Sequence, residues 1–348
     1  MPAPPPATLL IQTAFIGDVI LATALVEHLH QTAPTVPIDV LVRRGNEGLL
    51  ASHPHVRQVL IWDKKNQKYP NLLRLLGQIR RARYGRVVTL QRFASTGLLT
   101  AFSGAPERLG FTQNPFSRFF TRRVPHVIGD GTHEVQRNLS LLAAPASPAG
   151  PKPRLYPTPA DEAAAAPYAA GGAYVCIAPT SVWFTKQYPT EKWLELLAAL
   201  PASLPVYLLG GPPDTAACEQ LAQAAGRPGL VNLSGQLSLL ASAALLRGAV
   251  LNYVNDSAPL HLCSAVDAPV CAVFCSTVPA FGFGPLSTFA RVVEHPGPLA
   301  CRPCGLHGHA RCPLGHFRCA REIDTAQLLA ALADAQAWRA AQAAVPLS

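Results

Sequence analysis

Short apolar runs recur along this 348-residue chain, and most do not alternate with polar positions. "TLLIQ" (8–12), "IDVLV" (38–42), "QVLIW" (58–62) and "RVVTLQ" (86–91) form a first series. "AYVCIAP" (173–179), "PVYLLG" (205–210), "GLVNLS" (229–234), "AVLNYV" (249–254) and "PVCAVFC" (269–275) form a second. Continuous apolar runs of this length read as strands buried on both faces, the habit of parallel sheets. Helical patterns fall between most of them, at 19–31, 71–83, 190–200, 214–225 and 238–247. Buried strands alternating with helices predict an α/β fold. The series breaks between residues 140 and 170, where "LAAPASPAGPKPRLYPTPADEAAAAPYAAGG" has the Pro, Ala and Gly content of a linker. Two Rossmann-like domains are therefore expected, 1–155 and 156–325, with ligands at the C-terminal ends of their strands. The pattern at 324–344 predicts one more helix packing back across the domains, so residues 326–348 are assigned to that helix and a tail.

Composition narrows the class. Hydrophobic residues make up 49% of the chain and charged residues 14%, enough apolar material for large cores. No uninterrupted apolar stretch reaches the roughly 18 residues of a membrane-spanning helix. The start, "MPAPPPATLLIQTAF", lacks a basic region ahead of its apolar run and reads as a frayed tail, not a signal peptide. A cytoplasmic protein is expected. The net charge of +9 is unevenly spread: residues 1–150 hold 17 Lys and Arg against 8 Asp and Glu, whereas residues 151–348 hold 12 of each. Such asymmetry points to an acidic partner for the first half. Nucleic acid is disfavoured, because no helix-turn-helix, zinc-finger or RNP pattern is present and aromatics are few.

Five segments can carry chemistry. In "QTAFIGDVILATALVEHL" (12–29) a strand gives way through Gly17 to a helix opened by Asp18. Asp18 is either a first-turn acid favoured by the helix dipole or a carboxylate at a strand end that can take a proton from a hydroxyl. In "APTSVWFTKQYPTEKWLELL" (178–197), Thr180, Ser181, Thr185 and Lys186 form either a surface loop or a phosphate contact, although no P-loop pattern is matched. In "NDSAPLHLCSA" (255–265), Asp256 and Ser257 cap a helix carrying His261, and the bare helix N-terminus invites an anion. Gly210 in "LLGGPPD" and the turn "SGQLS" follow two further strands. The basic stretch 57–92, with Lys64 and Lys65, and the later Arg118, Arg122 and Arg123 give either solvated faces or carboxylate and phosphate readers. Finally, "CRPCGLHGHARCPLGHFRC" places Cys301, Cys304, Cys312 and Cys319 within 19 residues, either as a structural zinc knuckle or as reduced thiols in a folded loop. The remaining five of the nine cysteines read as buried thiols.

"FIGDVILATALVEHL", "TKQYPTEKWLEL" and above all "NDSAPLHLCSAVDAPVCAVF" resemble the lipopolysaccharide heptosyltransferases, glycosyltransferase family 9, loosely over residues 8–325. The late cysteine cluster resembles segments in some members of the second heptosyltransferase group. The family's nucleotide-sugar segment is usually Asn/Asp-Asp-Ser/Thr-Gly followed by a histidine; this chain carries Ala258-Pro259 where Gly and an aliphatic residue are common. Pro259 suits a helix's first turn, where its missing N–H is no loss.

The resemblance implies a GT-B architecture, two Rossmann-like domains facing a central cleft, and an inverting sugar transfer that requires no cofactor; no Asp-x-Asp pattern occurs in the chain. It implies Asp18 as catalytic base and Lys186 on the donor's phosphates. Asp256, Ser257, Ala258 and His261 match the nucleotide-sugar turn, with Thr180, Ser181, Thr185 and Gly210 beside it. Lys64, Lys65, Arg118 and Arg122 match basic residues that meet the acidic Kdo sugars of the acceptor. The expected partners are ADP-heptose, an acidic lipid-linked oligosaccharide and the anionic inner face of the cytoplasmic membrane. Two alternatives remain open: a GT-B transferase using a UDP- or GDP-hexose, and a non-catalytic metal- or anion-binding protein built on residues 301–319 and the basic half.

Overall fold

A computed structural model describes residues 6–143 and 150–343. The Pro-rich start, part of the expected linker and the last five residues lie outside the described residues. The chain divides between Tyr156 and Pro157 into two compact units.

The first unit runs β1 (Thr8–Ile11), α1 (Ile16–Thr32), β2 (Ile38–Arg43), β3 (Gln58–Trp62), α2 (Lys68–Ala82), β4 (Arg86–Thr89), α3 (Ala94–Ala101), β5 (Glu107–Phe111), β6 (Arg122–Val124) and α4 (Glu134–Ser140). Its six strands are all parallel, in the order β3-β2-β1-β4-β5-β6. Leu9, Ile11, Leu41, Trp62, Leu75, Ile79, Val87 and Leu99 fill the core on one face. Helix α1 is buried from Val19 to Glu27, as its nearly unbroken apolar sequence requires.

The second unit runs α5 (Pro159–Ala169), β7 (Val175–Ala178), α6 (Thr190–Ala199), β8 (Val206–Leu208), α7 (Thr215–Ala225), β9 (Leu230–Asn232), α8 (Leu239–Gly248), β10 (Leu251–Asn255), α9 (Ala258–Ala265), β11 (Val270–Phe274), β12 (Ala290–Glu294), α10 (Arg318–Arg321) and α11 (Thr325–Ala343). Its parallel strands follow the order β12-β11-β10-β7-β8-β9. Counted within the unit this is the same 3-2-1-4-5-6 order as the first, read from the other edge. In each sheet the winding reverses between the first and fourth strands, β1 and β4 or β7 and β10. Such a switch point opens a crevice beyond the strand ends, where ligands of doubly wound sheets bind.

The nine expected strands and seven expected helices are present, with ends shifted by a few residues. Strands β5, β6 and β12 were not legible. Their sequences, "ERLGF", "RRV" and "ARVVE", are charged, and β6 and β12 lie at sheet edges with exposed positions. Part of the expected linker also folds. Residues 159–169 form a helix because Thr158 caps it reciprocally with Asp161, Pro159 opens it, and alanines fill it. It packs against α8, with Ser238 Oγ donating to Asp161 at 2.8 Å. Helix α11, expected to pack back across the domains, covers α6, β10 and β12 of the second unit. Leu328, Ala331, Leu332 and Ala335 are buried there, and Tyr253 donates to the Leu328 carbonyl at 3.0 Å.

Candidate active site

In the first unit the segment leaving β1 is pinned by neighbouring strand ends. Thr13 N and Oγ1 both donate to Gln91 Oε1, just past β4. Asn46, beyond β2, donates to the Ala14 carbonyl at 3.2 Å. Lys64, beyond β3, donates to the Thr13 carbonyl at 2.7 Å. This fixed turn delivers Asp18 to the first turn of α1, with its Oδ2 accepting from Phe15 N at 3.1 Å. Burial first, and then the negative charge of Glu134, push the Asp18 carboxyl up to about 6; the Phe15 amide and Arg43 oppose them. A carboxylate poised near neutrality suits proton abstraction better than an ordinary exposed aspartate. Asp18 thus accepts from the amide that precedes α1 while its carboxyl is raised toward neutrality near the end of β1.

Cations gather on the same edge. Arg43 ends β2 with its guanidinium 4.9 Å from the Phe15 ring. Lys64 lies 4.8 Å from the Trp62 ring, and burial, with help from Arg43 and Lys68, brings its pKa down to about 8. Lys65 sits on the adjoining exposed turn, its amide donating to Asp63 at 3.0 Å. Arg118 and Arg122 are not brought beside Asp18. Arg122 opens the edge strand β6, level with Leu10 but separated from β1 by β4 and β5, and reaches the Ser140 carbonyl; Arg118 covers the Phe119 ring at 4.7 Å. Arg43, Asn46 and Gln91 were missed by sequence reasoning. The available signal was a polar residue at or just beyond the end of a buried strand.

In the second unit three strand ends converge. Lys186, on the turn after β7, pairs with Asp256 after β10, Nζ to Oδ2 2.6 Å. Thr277, after β11, donates to the same oxygen at 2.6 Å. Asp256 is thus a partner for Lys186 and Thr277, and the N-cap position of α9 falls to Ser257, which makes no side-chain cap bond. The leading amide of α9, at Ala258, stands without a side-chain cap, the condition under which a helix end attracts an anion. His261 is buried on α9 with its ring 6.3 Å from that of Phe283. Thr185 is buried beneath Lys186, while Thr180 and Ser181 line the turn. Asn255, fully buried, holds that turn by accepting from Tyr188 N at 2.9 Å and donating to the Pro179 carbonyl at 2.8 Å. Gly210 follows β8, and a Cβ there would come within 2.7 Å of Asp214 Cβ, so only glycine fits. Ser276, Thr277 and Asn255 were missed as site residues; each sits at the end of a strand that was itself expected.

The zinc site expected at Cys301, Cys304, Cys312 and Cys319 is not supported. Among the described residues, no three His, Cys, Asp or Glu side chains form a group that could hold a metal ion. All four are free thiols, and Cys319 and Cys312 are spent on apolar packing against the core of the second unit. Burial, followed by the neighbouring cysteines, pushes Cys319 up to about 11.

Two doubly wound parallel sheets of the same strand order give the α/β architecture expected of a GT-B protein. The model of glycosyltransferase family 9 (heptosyltransferase) matches residues 72–307, and the chain belongs to that family. Lipopolysaccharide heptosyltransferase 3 of Escherichia coli is 27% identical over 283 residues, covering 76% of this chain and 82% of that protein. Lipopolysaccharide heptosyltransferase 1 of Pseudomonas aeruginosa is 26% identical over 322 residues, 85% of either chain. Among solved structures, E. coli ADP-heptose lipopolysaccharide heptosyltransferase II shares the fold with a TM-score of 0.79 at 20% identity, over 96% of this chain and 99% of that one. Family membership removes the non-catalytic reading: the chain is a glycosyltransferase.

Proposed function

We propose that this enzyme transfers heptose, with inversion and without a metal ion, from ADP-heptose to an acidic lipopolysaccharide inner-core acceptor. The observation that carries the reading is the placement of complementary chemistry at the two equivalent switch points. Asp18 takes the proton from the acceptor hydroxyl as its oxygen attacks the anomeric carbon from the face opposite the diphosphate. The bond between that carbon and the diphosphate oxygen breaks, and ADP leaves with the electron pair. Lys186 has three donors, one of which goes to Asp256, so the others can meet the departing charge together with the Ala258 end of α9. The basic edge around Arg43, Lys64 and Lys65 receives the carboxylates of the acceptor sugars. Among the described residues no helix is long and apolar enough to cross a membrane. A lipid-linked acceptor would then be met at the inner face of the cytoplasmic membrane, with the positive first unit toward anionic lipid.

The test is ADP release from ADP-heptose, in the presence of a chelator, with and without a Kdo-bearing lipid A acceptor. Acceptor-dependent release supports the reading; none, with either a Kdo or a heptosyl acceptor, overturns it. A thermal-shift panel of ADP, UDP and GDP settles the nucleotide, and selective stabilisation by UDP or GDP would move the donor to another sugar class.

A further inference from the structure

The cysteine- and histidine-rich loop is left over once zinc is set aside, yet it is tied to the donor-side residues. Arg302 anchors its start, donating to the carbonyls of Cys275 and Thr277 at 2.8 Å each. Cys304 N donates to the Ser276 carbonyl at 2.7 Å. The loop then crosses to the turn after β7. His309 N donates to Thr185 Oγ1 at 2.7 Å, and Thr185 N donates back to the His309 carbonyl at 3.1 Å. Ser276 Oγ completes the knot at 3.1 Å from Thr185 Oγ1. Gly308, at φ +77°, lies against all three: a Cβ there would meet Thr185 Oγ1 at 2.9 Å, Lys186 Cγ at 3.2 Å and Ser276 Oγ at 3.3 Å.

We propose that this loop is a donor-site strap, whose Gly308–His309 turn clamps Thr185 and so holds Lys186 at Asp256, making Gly308 a positioning residue for the donor's diphosphate. The argument rests on the donor-side reading given above. A reciprocal pair of hydrogen bonds, one accepted by the buried hydroxyl and one donated by its own amide, fixes the residue next to Lys186. The lysine's flexible stem then starts from a defined base, so less freedom is lost when phosphate binds. Glycine at 308 is favoured twice, by a left-handed backbone and by close approach to the Thr185 hydroxyl and the lysine stem.

Gly315 supplies the control. It lies in the same loop at φ +74°, but a Cβ there meets nothing within 4 Å. Gly308→Ala and Gly315→Ala therefore impose similar backbone strain, and only the first pushes on Thr185 and Lys186. The probe is whichever nucleoside diphosphate (ADP, UDP or GDP) stabilises the full-length wild-type chain, with affinity read by calorimetry and sugar transfer by steady-state kinetics. Gly308→Ala should weaken nucleotide binding and raise donor KM by about tenfold or more, with a smaller change in kcat, while Gly315→Ala stays near wild type. Thr185→Val should match Gly308→Ala, and Thr185→Ser, which keeps the oxygen, should restore binding. Wild-type affinity in Gly308→Ala, or equal loss in both glycine variants, overturns the strap while leaving the transferase reading intact. A wild-type chain that binds none of the three nucleotides overturns both; binding of UDP or GDP alone shifts the donor and leaves the strap under test with that nucleotide.

Discussion

At the residue scale, Asp18 concentrates the consequences. Its carboxyl is raised to about 6 by burial and by Glu134, and the base must be ionised to accept a proton. Transfer should therefore fall away below about pH 6, some two units above the limb expected of an unperturbed aspartate at about 3.9. Replacing Glu134 by Gln removes a negative charge from Asp18's surroundings and should move that acid limb to lower pH. The same change strips a charge from the pair with Arg137 at 2.7 Å, so a loss of thermal stability is expected alongside. A limb that stays where it was would show that Glu134 is not felt at Asp18. The stability sign follows from the raised pKa. The folded state holds the Asp18 proton more tightly than the unfolded chain, so this residue's contribution declines as pH rises from about 4 to about 6. Asp18→Asn keeps an oxygen for Phe15 N and carries no charge; it should abolish turnover, leave nucleotide binding nearly intact and melt no earlier than wild type at pH 7. Retained turnover would remove Asp18 from the mechanism.

At the scale of elements, the loop after β7 depends on β10. Asn255 is fully buried and bonds both the Tyr188 amide and the Pro179 carbonyl, the two ends of the segment that carries Thr180, Ser181, Thr185 and Lys186. Asn255→Ala leaves buried backbone groups unpaired, at a cost of about 1–3 kcal/mol, and should lower the melting temperature and nucleotide affinity together. Lys186→Ala should lower nucleotide affinity; the side chain is only 16% exposed and its loss leaves the buried Asp256 with Thr277 alone, so a lower melting temperature is expected as well. If Asn255→Ala lowered melting alone, β10 would not be setting the donor loop. These elements also mark what the sequence disclosed. Strands buried on both faces, such as "VCIA" and "VCAVF", announce themselves because nothing polar interrupts them. Edge strands such as "RRV" carry charge to solvent and leave no periodic trace. The residues of the proposed donor site could be singled out because Lys186 stands in one recognisable segment, "TKQYPTEKWLEL", and Asp256 and His261 in another, "NDSAPLHLCSA". The companions of Asp18 were not, because Arg43, Asn46 and Gln91 come from three different strand ends and converge only through the sheet order.

At the scale of the molecule, the two units repeat one topology and differ in charge. Residues 1–150 hold 17 cations against 8 anions, while residues 151–348 are balanced at 12 each. The diphosphate in the proposed donor site is met at short range by one lysine and a helix end, inside a setting where Asp256, Thr185 and Ser276 are buried. Such contacts are screened weakly by salt. The acidic acceptor proposed for the first unit would be drawn by a spread of cations at its surface, whose attraction acts across solvent and is screened strongly. Ionic strength should therefore separate the two substrates. Between about 0.1 M and about 1 M salt the Debye length falls from roughly 10 Å to roughly 3 Å. Acceptor KM should rise steeply over that range while donor KM changes much less, and Lys64→Ala and Lys65→Ala should flatten the acceptor's slope without touching the donor's. Parallel slopes for both substrates would mean that the charge of the first unit serves something other than acceptor capture.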